Sequence, residues 1–177
     1  TSATSDFVNS TFQAASDIII LAFFFLLRPG EYTDNDGDPF RLENVQLFIG
    51  DTRLPLMTAP EPQLRLARFA LLTFTTQKNG VRGEVIGLAC SGDPYLCPVQ
   101  AIIRRVLYLR RHSAPPTTPL ARVFDTPDKV TASYLTARIH EAVAACEPHL
   151  GFLPAKVSAR CLRAAGATAL LLARVDP

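Results

Sequence analysis

The sequence predicts an α+β fold, mainly helical, with a small three-stranded antiparallel sheet. Three observations point to it. Apolar residues recur at helical spacing over residues 98–111, and residues 131–146 read as a further helix. The first helical stretch ends in an unbroken apolar run from Ile18 to Leu27. Two strand-like runs, 68–76 and 84–90, flank an Asn79-Gly80 pair, which favours the tight turn of a hairpin. A chain of 177 residues, 48% of them hydrophobic, suits one domain with a real core and is too apolar for intrinsic disorder.

The elements follow in order. Ser5 or Asp6 can cap a first helix that runs to about Leu27, its second half apolar on nearly all sides and therefore buried. Pro29 cannot lie inside that helix and instead opens a short new turn, with Glu31 in the favourable first-turn position. Residues 40–49 alternate loosely and read as a strand. Residues 50–64, with Pro55, Pro60 and Pro62, read as an irregular connection. After the hairpin, Pro98 to Arg111 is an amphipathic helix with Val99, Ile102, Ile103, Val106 and Leu109 on one face and Gln100, Arg104, Arg105 and Arg111 elsewhere. Residues 113–119 hold three prolines and form a loop. A helix capped by Thr131 or Ser133 runs to Cys146, residues 151–156 break the pattern, and Val157 to Ala173 form a last helix rich in Ala and Leu.

Charge and cysteine usage exclude several classes. The net charge is only +2, but residues 1–53 carry three basic and eight acidic side chains, so the remaining 124 residues carry +7. Fifteen of the eighteen basic residues are Arg, the better residue for paired recognition of carboxylate or phosphate oxygens. The longest apolar run has ten residues, about half of what a bilayer span needs, so no membrane partner is expected. The first sixteen residues hold no basic residue and do not read as a signal peptide. Cys90, Cys97, Cys146 and Cys161 are widely spaced, and His112, His140 and His149 do not fall near them at ligand spacing. No structural metal is expected, and reduced intracellular thiols are. The run from Asp34 to Asp38 is acidic, but an EF-hand needs Gly at its sixth position and Glu at its twelfth, where Pro39 and Val45 stand. It reads as an acidic turn.

Three arginines sit where packing alone would not choose a charge. Arg28 ends the ten-residue apolar run. Arg163 lies in the last helix beside a stripe of Leu162, Ala165, Ala169 and Leu172, and Arg160 is one turn earlier on the same face. Burying such charges is costly without partners. One reading is an internal salt bridge, for example Arg28 with Glu31. The other is a set of guanidiniums aimed at an anion, with phosphate the natural target. Lys78, at the hairpin tip, reads as an ordinary solvated lysine that could still reach a ligand lying against the protein.

In this order, an apolar helix ending in LLRPGE, a hairpin QKNG, a CPV helix start and a late VSARCLRAAGATALLLARVD resemble the catalytic domain of tyrosine recombinases of the phage-integrase type. The resemblance covers nearly the whole chain, and its wording looks most like divergent recombinase-like proteins of protist and algal mobile elements. The first block is similar to the family's Arg-x-x-Glu box, which falls on Arg28 and Glu31. The family's hairpin Lys falls on Lys78. Its His-x-x-Arg box falls on Arg160 and Arg163, followed by the small apolar Ala167, Ala169 and Leu171. The resemblance implies a helical catalytic core, no cofactor, double-stranded DNA as partner, a location with DNA inside the cell, and a tetramer on paired sites for the full-length protein.

It also implies the chemistry. A tyrosine hydroxyl attacks a DNA phosphodiester to give a 3′-phosphotyrosyl link, and a second strand reverses the step, giving site-specific recombination or integration. Arg28 and Arg163 would clamp the phosphate, supported by Glu31. Arg160 would add a donor, Lys78 would protonate the leaving 5′ oxygen, and Asn79, Arg82 and Lys156 would touch DNA. Two departures stand out. Arg160 replaces the family's usual His and cannot accept a proton. Tyr32, Tyr95, Tyr108 and Tyr134 all precede Arg163, so none matches the nucleophile position. The expectation is therefore a partial catalytic domain over residues 1–177, without the N-terminal DNA-clamping domain or the C-terminal nucleophile segment. The competing readings are a catalytically degenerate relative kept for DNA binding or protein interaction and, third, a type IB topoisomerase-like domain.

Overall fold

The computed structural model describes residues 2–34, 38–75 and 83–173. Within them the elements run α1 (Ser2–Phe24), α2 (Pro29–Tyr32), β1 (Val45–Ile49), β2 (Thr52–Leu54), α3 (Glu61–Arg65), β3 (Phe69–Phe74), β4 (Glu84–Ala89), α4 (Pro98–Arg111), α5 (Ala132–Leu150) and α6 (Cys161–Leu172). Short 3-10 turns lie at Leu42–Asn44 and Pro154–Lys156. The architecture is α+β with more helix than strand, as expected.

The sheet corrects the expected strand number. It has four antiparallel strands in the order β2-β1-β3-β4 rather than three. Prolines made residues 50–64 read as irregular, yet β2 pairs with β1 across a reversal at Gly50, whose φ of 54° suits glycine. Pro60 and Pro62 begin α3, in the one helical region where a missing N–H costs nothing. β1 starts at Val45 instead of Phe40, because the Asn44 side chain accepts the Arg41 N–H at 2.7 Å and the Leu42 N–H goes to the Thr118 carbonyl. The hairpin is present, with β3 and β4 in register from Phe69↔Ala89 to Phe74↔Glu84.

α1 stops at Phe24, short of Leu27. Leu26 takes the left-handed conformation (φ 55°) and the Leu27 N–H bonds back to the Ala22 carbonyl at 3.0 Å, which closes the helix end. A leucine in that region costs about 1 kcal/mol or more and needs tertiary support. Pro29 then opens α2 with Arg28 extended before it, as the sequence predicts.

The core forms where α1 meets α4 and the sheet. Ile18, Leu21 and Ala22 are buried, as are Val99, Ile102, Ile103, Val106 and Leu109. Two charges enter this core. Asp17 is fully buried and its carboxylate meets Arg104 at 2.6 Å. Arg105, expected away from the apolar face, is instead 2% exposed. Its guanidinium donates to the carbonyls of Leu120 (2.8 Å) and Arg122 (2.5 Å) and lies 4.6 Å from the Tyr108 ring centre. Burial lowers its pKa to about 10, against the opposing pull of Asp17 and Tyr108.

α5 begins where Thr131 accepts the Tyr134 N–H, and it runs beyond Cys146 to a left-handed Gly151. α6 begins at Cys161 rather than Val157. Of its expected apolar stripe, Leu162 is half-buried and Ala165, Ala169 and Leu172 are exposed. The buried residue of α6 is Gly166, because the helix meets the end of α1 at that point rather than along the stripe. Among the described residues no helix is long and apolar enough to cross a membrane.

Candidate functional site

The site begins at the break between α1 and α2. The extended Arg28 lets the Glu31 carboxylate turn back and accept the Arg28 N–H at 2.6 Å. The same carboxylate meets the Arg28 guanidinium at 3.3 Å. The salt-bridge reading is thus correct in part. The Arg28 side chain remains 41% exposed, and an exposed pair of this kind is worth about 1 kcal/mol or less. Glu31 holds Arg28 without consuming it.

The segment before α6 is suspended between two helices. The Tyr32 hydroxyl donates to the Ala159 carbonyl at 2.8 Å, joining α2 to residue 159. From the other side the Thr136 hydroxyl accepts the Ala159 N–H at 3.1 Å, and His140 Nε2 lies 2.8 Å from the Val157 carbonyl. Arg160 therefore sits one residue past a doubly anchored position, at the start of α6. A second anchor follows at Gly166, where a Cβ would lie 2.2 Å from the Phe23 carbonyl oxygen and 2.7 Å from Leu26 Cδ2. Arg163 lies between the two anchors. The α2 turn bearing Arg28 and the helix bearing Arg160 and Arg163 are thus neighbours.

Arg160 and Arg163 are both exposed, and among the described residues neither forms an ion pair or a side-chain hydrogen bond. Lys156 is exposed at the end of the preceding 3-10 turn. Lys78, Asn79 and Arg82 lie outside the described residues. The strand ends that flank them are placed, however. Phe74 packs edge-on against Phe40 at 4.8 Å, the Phe40 N–H bonds to the Glu31 carbonyl at 2.7 Å, and the Thr75 hydroxyl donates to Asp38. The described end of β3 therefore lies beside the α2 turn.

A cavity of about 410 Å³ opens between α5 and the start of α6, lined by Ser133, Thr136, His140, Ser158 and Arg160 among others. Arg28 and Arg163 do not line it. Of this lining the sequence marks Arg160 for phosphate, while Ser133, Thr136 and His140 join it because their spacing puts them on one helical face. No family model, curated protein or solved structure matches this chain.

The tyrosines have other work. Tyr32 is 3% exposed, and burial pushes its phenol up to about 12, so it stays protonated as a tie between elements. Tyr108 donates to Asp125 and accepts the Phe124 N–H. Tyr134 lies beneath the Arg138 guanidinium, and Tyr95 is 81% exposed on a loop. The acidic turn is a buried anchor at its first residue, since Asp34 pairs with Arg122 at 2.8 Å. Asn35, Asp36 and Gly37 lie outside the described residues.

Proposed function

We propose that the chain supplies the phosphate-activating face of a DNA strand-cleaving and rejoining domain of tyrosine recombinase type. The observation that carries this reading is the Tyr32–Ala159 hydrogen bond, which ties the Arg28–Glu31 turn to the start of the Arg160–Arg163 helix across 127 residues of sequence. Two exposed guanidiniums without partners among the described residues and a third held by one carboxylate make a surface suited to a phosphodiester. On this reading they offset charge that builds on the non-bridging oxygens, and each donor contributes about 10²–10³ in rate. Lys78, which the resemblance matches to the family's hairpin Lys, delivers a proton to the leaving oxygen. The attacking tyrosine is none of the four in this chain. Arg160 donates but does not act as a base.

A second reading, DNA binding without cleavage, draws on the Arg28–Glu31 pair and on Arg160 in place of a base. Duplex binding followed by fluorescence anisotropy tests what both readings share. Replacing Arg28, Arg160 or Arg163 by Ala should weaken binding by about tenfold or more, the worth of one charge-assisted hydrogen bond. Unchanged affinity in all three variants rejects both readings. A suicide substrate, incubated with the full-length protein, separates them: a covalent protein–DNA adduct supports cleavage, and binding with no adduct supports the second.

A further inference from the structure

Cys90 and Cys97 are seven residues apart in sequence and arrive at one place by different routes. Cys90 follows the last residue of β4, and its N–H bonds to the Arg68 carbonyl at 2.9 Å. Cys97 is the residue from which α4 starts and is 1% exposed. The loop between them is held by its own polar groups. The Asp93 carboxylate accepts the N–H groups of Tyr95 and Leu96, both at 2.7 Å, and the Ser91 hydroxyl donates to the Leu96 carbonyl at 2.9 Å. Gly92 takes φ 84°, open to glycine at little cost. The loop that joins the two cysteines is therefore already ordered by folding.

Both thiols line one cavity of about 330 Å³, together with Arg68, Gly92, Asp93, Pro94 and Gln100. Both are free thiols. They are close enough to act on each other's ionisation, and in opposite senses. Burial pushes the Cys97 thiol up, but the Gln100 and Ser91 backbone N–H groups, with the Cys90 thiol and Ser91 hydroxyl, outweigh it and hold it below its ordinary value. Burial and the neighbouring Cys97 push the Cys90 thiol up, against a weaker opposing pull from Arg68. Of the two sulfurs, Cys97 is thus held the more readily as thiolate, the form that attacks a peroxide.

We propose that Cys90 and Cys97 are a redox modification site, a dithiol that a hydroperoxide converts reversibly to an intramolecular disulfide. The Cys97 sulfur attacks a peroxide oxygen, forming an S–O bond as the O–O bond breaks, and the departing hydroxide takes a proton to leave as water. The Cys90 sulfur then attacks the Cys97 sulfur. The S–S bond forms, the S–O bond breaks, and the hydroxide leaves with the Cys90 proton as a second water. Two thiols and one hydrogen peroxide become one disulfide and two waters, and the peroxide takes up both electrons. The site is separate from the arginine face and does not depend on its function.

The test uses the full chain with Cys146→Ser and Cys161→Ser, which leaves the pair as the remaining thiols. The protein is treated with hydrogen peroxide, alkylated after denaturation, and examined as intact mass and as peptides. The expected result is joint loss of both alkylation sites, a mass lower by two hydrogens than the reduced chain, and a linked Cys90–Cys97 peptide. Dithiothreitol should restore both sites. In Cys90→Ser the oxidation should stop at a sulfenic acid on Cys97 that dimedone captures. Independent oxidation of the two thiols, a cross-link only between molecules, or two thiols still fully alkylatable after peroxide would each overturn the proposal. The unsubstituted pair carries the mass test even if Cys90→Ser does not fold.

Discussion

Gly166→Ala probes the contact that positions α6. The added Cβ would lie 2.2 Å from the Phe23 carbonyl oxygen and 2.7 Å from Leu26 Cδ2, whereas ordinary contacts begin above about 3 Å. The Leu26 side chain can rotate aside. The Phe23 carbonyl is backbone at the last turn of α1 and cannot. In an unobstructed helix the change would stabilise by about 1 kcal/mol, because Ala loses less backbone freedom than Gly. Overpacking against a rigid partner costs about 1–3 kcal/mol and here opposes that gain. With the obstruction at its upper end, because the blocking atom is backbone, the net expectation is a loss of about 1–2 kcal/mol, read as a lower urea midpoint at unchanged slope. DNA affinity should fall with it, since Arg163 is one turn from the displaced residue. A variant more stable by about 1 kcal/mol with unaltered affinity would refute the docking of α6 on the end of α1.

Other consequences are open to direct measurement. Tyr32→Phe leaves the Ala159 carbonyl unpaired and should cost about 1–3 kcal/mol in urea unfolding. Because the folded-state value of Tyr32 is raised from 10 to about 12, its contribution is complete below pH 10 and is lost as pH rises toward about 12; Tyr32→Phe should lack that component of the alkaline decline. Arg104→Met removes the charged partner of a fully buried carboxylate, leaving Gln13 as its hydrogen-bond donor, and should cost about 3 kcal/mol near neutral pH, the low end for a buried pair because the Arg104 side chain is 30% exposed. Burial already raises the Asp17 carboxyl, and losing Arg104 raises it further, so the deficit should shrink as pH falls and the folded state takes up the proton. Duplex affinity should fall steeply with salt, and Lys156→Ala should reduce the magnitude of the logarithmic slope by about one without changing sequence preference.

The parts of the fold legible in sequence are those with a local cause. α4 appears with its predicted ends because its periodicity and Pro98 act within the segment itself. The pairing of β3 with β4 is announced by the two strand-like runs themselves, and the α2 turn by Pro29 and Glu31. The missed features depend on distant partners. The left-handed Leu26 is tolerated where α6 packs on it, and nothing in residues 18–27 announces a helix end at Phe24. β2 is hidden among prolines because its pairing is supplied by β1. Arg105 is buried because the carbonyls of Leu120 and Arg122 wait for it on a loop. At the site, the spacing of Arg28 and Glu31 anticipated their ion pair, whereas Ser133, His140 and Ser158 beside Arg160 become visible only when α5 and residues 157–160 are brought together. Cys90 and Cys97, read as unrelated thiols, meet because β4 ends where α4 begins.

In the proposed function Arg28 and Arg163 act on the same phosphate. A double-mutant cycle on duplex affinity at fixed salt, with Arg28→Ala, Arg163→Ala and the pair, measures it. A shared phosphate should give a coupling of about 0.5–3 kcal/mol, as for groups sharing one partner. Strict additivity, within about 0.5 kcal/mol, would contradict it.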